Sequence, residues 1–230
     1  MLCAMQAATV LLPRRRGEGG RFGWLGLVLP ALALGVGILV LRLAAGGPHA
    51  LALVGAVATP VLAAAEWRRA PAAVVLWLVA WLAGGRLAEL AAVALVALAA
   101  ATVAEIVGAL APARSLVIGL AVLCAVDVVL VWGTPQVGPA TTALHAAPVP
   151  AAAGHPIPRL ADATFGSATM GWLDFAAAAL LGVLCSGRRR LRAAAATGLA
   201  AGAWGLLLLA TSTVPATVPT LAGLAAAKRR

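Results

Sequence analysis

Apolar runs separated by short basic clusters constrain this chain more than any motif within it. A helix crossing a bilayer needs ~20 apolar residues, because every backbone polar group inside the hydrocarbon must bond within the segment. Runs of that character fill nearly all of the 230 residues after Arg21, with 63% of the chain hydrophobic and 10% charged. A mean hydropathy of +1.03 leaves no stretch polar enough for a separate soluble domain. The expected fold is therefore all-α, a polytopic transmembrane helical bundle of about eight spans.

Those spans read as Phe22 to Leu43, His49 to Ala65, Pro71 to Gly84, Leu87 to Leu110, Ser115 to Trp132, Gly166 to Ser186, Arg192 to Thr211 and Thr213 to Ala227. The opening "MLCAMQAATVLLPRRR" carries its arginines after a short apolar stretch, so residues 1–21 read as a cytoplasmic tail rather than a cleaved signal peptide. Net charge is +10, but the basic residues cluster as "PRRR", "EWRR", "GRRRLR" and "KRR" between apolar runs, which points to membrane topology and not to nucleic acid. With the N-terminus inside, those clusters and Arg114 fall on one side, and an even number of spans returns the C-terminus to it. Trp24, Trp67 and Trp132 stand at span ends, where an indole keeps its N–H wet. A connection rich in proline and small residues joins Trp132 to Gly166 on the outer side, as a mobile lid or a re-entrant segment.

Of seven acidic residues, Glu18 and Asp162 belong to tail or loop, Glu66 adjoins Arg68 and Arg69, and Glu89 and Glu105 lie near opposite ends of the fourth span. Asp127, in "LCAVDVVLVWGT", and Asp174, in "MGWLDFAAAALL", sit well inside apolar runs. A carboxylate there costs several kcal/mol unless paired or wetted, so each marks a candidate functional site. Two carboxyls facing each other across a small wet cavity share one proton: the ionised member activates water and the protonated member polarises a carbonyl. That is peptide hydrolysis without metal or other cofactor. The same residues are also compatible with a proton path, or with bonds to neighbouring helix backbone.

Three segments, in order, resemble the intramembrane aspartyl proteases that include presenilin and signal peptide peptidase. "VDVVLVWGT" is similar to the first catalytic helix, with Asp127 at its aspartate, Val126 in place of the usual aromatic, and Gly133-Thr134 like the signal peptide peptidase branch. "MGWLDF" resembles the Gly-x-Gly-Asp motif, with Gly171 at the first glycine, Trp172 after it, Leu173 at the second glycine and Asp174 at the aspartate. "VPATVP" resembles the Pro-Ala-Leu motif through Pro215 and Ala216, with Thr217 replacing leucine and Pro219 following.

The resemblance implies that Asp127 and Asp174 are catalytic, that Gly171, Trp172, Leu173, Pro215, Ala216, Thr217 and Pro219 line the substrate site, and that the substrate is a membrane-spanning peptide or signal-peptide remnant held in the lipid bilayer. It divides the chain into N-terminal transmembrane helices at 22–111, catalytic-type helices at 112–227 with an exposed loop at 133–165, and a basic C-terminal tail at 228–230. Prolines near Pro215 are expected to leave backbone carbonyls unpaired for substrate or for shaping the cavity. Proton-coupled transport and a catalytically inactive binder of membrane segments are the competing readings. His145, His155 and Asp162 are irregularly spaced and read as solvated loop residues rather than metal ligands. Cys3, Cys124 and Cys185 show no paired spacing, and Cys124 and Cys185 read as small core residues.

Overall fold

The computed structural model describes residues 1–14, 24, 28, 35, 39, 47–133, 137–152, 154–209, 211 and 213–228. Most of the expected first span, Glu18, Thr134, Arg229 and Arg230 lie outside the described residues. Alanine and leucine, the strongest apolar helix formers, set the local structure almost everywhere. The helices are α1 (Leu2–Leu11), α2 (Gly47–Ala64), α3 (Ala70–Leu82), α4 (Gly85–Leu110), α5 (Ala113–Gly133), α6 (Val137–Ala146), α7 (Trp172–Leu184), α8 (Arg188–Gly205) and α9 (Pro219–Lys228). Four helical segments, Gly47–Ala64, Gly85–Leu110, Ala113–Gly133 and Arg188–Leu209, are long and apolar enough to cross a membrane.

Breaks between helices follow local chemistry. Ala111 adopts an extended conformation after α4, as a residue before proline is forced to do, and α5 starts just beyond Pro112. Gly187, at φ 51°, turns the chain between α7 and α8. At the centre, α7 is buried from Phe175 to Val183 and packs on α4, itself lined with buried Val93, Val96, Ala97, Ala100 and Ala101. A helix apolar on all faces belongs in a bundle interior.

Three readings of the sequence are corrected. Residues 2–11, read as tail, form a helix against α4, α7 and α8, with Val10, Gln6 and Thr9 fully buried. It docks closely because glycines face it: a Cβ on Gly182 would strike the Val10 carbonyl, and one on Gly198 would lie 3.0 Å from Ala7. The expected span from Gly166 is instead a β-hairpin followed by a half-length helix. Its strands, β3 (Asp162–Phe165) and β4 (Ala168–Gly171), pair antiparallel with Asp162 opposite Gly171, after a minimal pair β1 (Ala151–Ala152) and β2 (His155–Pro156). Gly166, at φ 67°, leads the two-residue turn with Ser167, a pattern that total hydropathy conceals. The last expected span likewise begins as helix only at Pro219, since Pro215 and Pro219 lack the N–H that would extend it backwards. Helices of 13 and 10 residues, α7 and α9, reach ~20 and ~15 Å, short of the ~30 Å hydrocarbon layer.

The connection before the hairpin re-enters the bundle. Leu160 and Ala163 are fully buried, the Thr59 hydroxyl donates to the Leu160 carbonyl at 2.8 Å, and Gly55 clears space for Ala161. Thr59 lies twelve residues into α2, or ~18 Å from where that helix starts. This part of the connection is therefore covered by the bundle and does not lie free on its surface.

Basic residues collect at one end. Arg14 and Arg69 meet the end of α4, Arg68 stands next to Arg69, Arg114 starts α5, Arg188 to Arg192 start α8, and Lys228 ends α9. There Arg69, 5% exposed, bonds Glu66 and Glu105 at 2.8 Å each and donates to the Leu12 carbonyl at 2.9 Å. One guanidinium thus joins α1, α3 and α4. Arg69→Leu would strand two carboxylates and cost ~3–5 kcal/mol, read as a lowered melting temperature in detergent. A melting temperature equal to the unmutated protein's would show the network to be dispensable.

Candidate functional site

Asp127 and Asp174 reach the bundle interior from different directions. Asp127 is fourteen residues into α5, ~21 Å from the basic end, and Asp174 is ten residues before the end of α7, ~15 Å from it. Both carboxylates are half-buried, on helices α5 and α7 that pack on each other. Asp174 is held at the third position of α7, where its Oδ2 accepts the Gly171 backbone N–H at 2.8 Å. An acid there also complements the positive end of the helix dipole. Thus the hairpin places Gly171, and Gly171 orients the aspartate.

Asp127 takes its partner from the "VPATVP" segment. The buried Thr217 donates to Asp127 Oδ2 twice, from its hydroxyl at 2.7 Å and from its backbone N–H at 3.2 Å. Two donors on one oxygen hold the carboxylate in a single orientation. Thr217 stands where the resembled motif has leucine, so the departure supplies the contact. Cys124, one turn before Asp127, lies 3.4 Å from the Thr217 carbonyl and 3.6 Å from the Thr220 hydroxyl, closing a polar cluster between α5 and α9.

The carbonyls expected to be free are occupied. Pro215 accepts from Trp204 Nε1 at 2.9 Å, and Ala216 accepts from Gln6 Nε2 at 2.7 Å. They brace the segment rather than offering it to a ligand, and Pro215 and Pro219 are themselves buried. Trp172 packs against two core clusters, and Leu173 is half-buried beside Asp174. Sequence reasoning missed Gln6, Trp204 and Thr220. A lone glutamine in an otherwise apolar stretch was the available sign for the first.

Outside the spans, the loop residues form a second cluster. His145 Nδ1 lies 3.2 Å from Asp162 Oδ2 and 3.1 Å from the Thr141 carbonyl, while Nε2 faces the Thr164 and Thr169 hydroxyls at 3.0 and 3.3 Å. Arg159 donates to the His145 and Ala147 carbonyls. These residues are not simply solvated, as their spacing suggested: they fasten α6 to the hairpin. Among the described residues no group of His, Cys, Asp and Glu is arranged to hold a metal ion. At the hairpin tip, Glu89 accepts the Gly166 N–H at 2.9 Å and pairs with Arg86 at 3.0 Å.

No protein-family model, curated protein or solved structure matches this chain.

Two predictions follow from these contacts. Gln6→Leu leaves a buried carbonyl without its donor and should cost ~1–3 kcal/mol in thermal unfolding; a disordered tail would give no change. Burial pushes the Asp162 carboxyl above its ordinary value of 3.8, with His145 and Arg159 offsetting part of the shift. The docked hairpin therefore favours the protonated acid: its stabilisation is complete below 3.8 and is lost as pH rises through the raised value. Hydrogen exchange of the hairpin amides, corrected for intrinsic rates, should show protection falling over that interval, and Asp162→Asn should flatten the slope. Protection that instead rises with pH would reverse the assignment.

Proposed function

We propose that the chain is a divergent intramembrane aspartyl protease, with Asp127 and Asp174 as the catalytic pair and both termini cytoplasmic. The observation that carries this reading is the pair of hydrogen bonds from Thr217 to Asp127, with Asp174 on the adjoining helix α7. Two of the three segments that resemble the protease motifs are joined by that contact, Thr217 to Asp127, although ninety residues separate them.

In this mechanism the ionised aspartate removes a proton from water as it attacks the scissile carbonyl, and the protonated aspartate donates to the developing oxyanion. As the C–N bond breaks, the nitrogen takes a proton from the first aspartate and the second aspartate recovers its proton from the gem-diol hydroxyl as the carboxylic acid forms, returning the pair to its starting state. Thr217 holds Asp127 and Gly171 holds Asp174, so neither carboxyl must reorganise during the reaction. The implied substrates are type II membrane segments or signal-peptide remnants. A second reading, an inactive binder of membrane segments, is favoured by Leu173, whose side chain fills space beside Asp174 that a glycine would leave open.

The test is to reconstitute the protein in lipid with tagged membrane-segment peptides and follow products by mass spectrometry. Asp127→Asn and Asp174→Asn, which keep a hydrogen-bond acceptor and so the fold, should abolish cleavage. Thr217→Val should lower kcat by about 10- to 100-fold with little change in KM. Cleavage that survives either asparagine variant would sink the reading. Activity gained only on Leu173→Gly would move the conclusion to the inactive binder.

A further inference from the structure

Four elements meet at the basic end around a cavity of about 260 Å³. Its wall is made by Val117 in the first turns of α5, Leu184 at the end of α7, and Leu224 and Ala227 in the last turns of α9, while Arg189 and Lys228 stand at its rim. Cys185 forms part of the floor. Both rim cations are exposed, and neither is in an ion pair among the described residues. The nearby arginine Arg190 is committed elsewhere, to the Cys185 and Pro13 carbonyls.

The position decides what fits. Two of the contributing helices, α5 and α8, are long enough to cross a membrane, and the cavity lies within a turn or two of their basic ends, at the depth of lipid headgroups. Apolar walls beneath two unpaired cations suit a molecule with an anionic head and a hydrocarbon body. A bilayer presents that chemistry at that depth, and basic pockets between helices are where it is recognised. The cavity is too small for a whole lipid, so the chains would lie outward along the exposed faces of α5 and α9.

We propose that this cavity is a binding site for an anionic phospholipid, its phosphate between Arg189 and Lys228 and its first methylenes against Val117 and Leu224. Occupancy joins the ends of α5, α7 and α9, the three helices that carry Asp127, Asp174 and the segment after Thr217. The inference rests on residence in a membrane and not on the proteolytic reading.

Native mass spectrometry of the full chain in neutral detergent tests it, with phosphatidylglycerol and phosphatidylcholine of identical acyl chains, and with glycerol phosphate as the soluble anion. Phosphatidylglycerol should bind at least tenfold more tightly than phosphatidylcholine, and glycerol phosphate should not bind measurably. Arg189→Gln/Lys228→Gln should remove the preference. Val117→Trp, which fills the cavity without changing charge, should remove it too, with unfolding temperatures confirming that both variants fold. Arg68→Gln/Arg188→Gln, with the same charge loss at the same end but off the cavity wall, should retain the preference within about threefold. Equal binding of the two lipids, equal loss in the off-cavity variant, or binding of glycerol phosphate as tight as the lipid would each overturn the proposal.

Discussion

A polar group inside an apolar bundle has only the protein to bond with, and an unmade bond there costs more than one exposed to water. The core of this chain is arranged around that constraint. Asp127 is satisfied by Thr217, the carbonyls on either side of the "PAT" turn by Trp204 and Gln6, and Asp174 by the backbone of Gly171. The Asp127–Thr217 and Gln6–Ala216 bonds join segments far apart in sequence, the Trp204–Pro215 bond closes a turn of the chain, and the last organises a helix start. Without Asp127 the proline-rich turn would keep only the Cys124 contacts to Thr217 and Thr220 as polar ties to α5.

The short helices follow from the same logic. A full-length apolar helix in place of the hairpin and α7 would carry Asp174 on a continuous cylinder, its backbone N–H groups all consumed internally. Starting the helix at Trp172 leaves free N–H groups beside the carboxylate, and one of them, from Gly171, is used to hold it. The hairpin bonds to itself, strand to strand, and its first strand packs on α4, while the second is exposed at Ala168, Thr169 and Gly171. Irregular backbone is tolerated within such a bundle where other protein buries it. Glu89 and Arg86 close the far end of the hairpin, so an acid near the start of a long helix has an anchoring role there.

Hydropathy made the four long helices legible, because length and composition are all that such a helix requires. It also isolated Asp127 and Asp174, which are conspicuous as charges in apolar runs. It failed where backbone hydrogen bonding matters more than apolarity. "DATFGSATMG" runs directly into the apolar stretch of α7, and its threonines and Gly-Ser turn make it a hairpin. The first eleven residues were too short to read as a span, and nothing local shows that glycines on α7 and α8 leave a groove for them. Likewise Arg69 and Glu105 are 36 residues apart, and only the packing of α3 on α4 brings them together.

The cation-rich end and the acid-bearing centre are mechanically one unit. α7 begins two residues before Asp174 and ends at Leu184, and α9 begins two residues after Thr217 and ends at Lys228, so each short helix has one terminus in the polar site and the other at the basic surface. Such helices are nearly rigid over 10 to 13 residues, and a displacement at one terminus is therefore felt at the other. Close packing limits how they move: Gly223 lies against Leu181 and the Ala193 carbonyl, with 2.6 and 2.8 Å separating those atoms from where a Cβ would stand. Any movement of α9 along its axis must carry it past α7 and α8 together. The depth of the Thr217 hydroxyl relative to Asp127 is thus set jointly by the proline turn above and by whatever fills the space around Leu224 and Lys228 below.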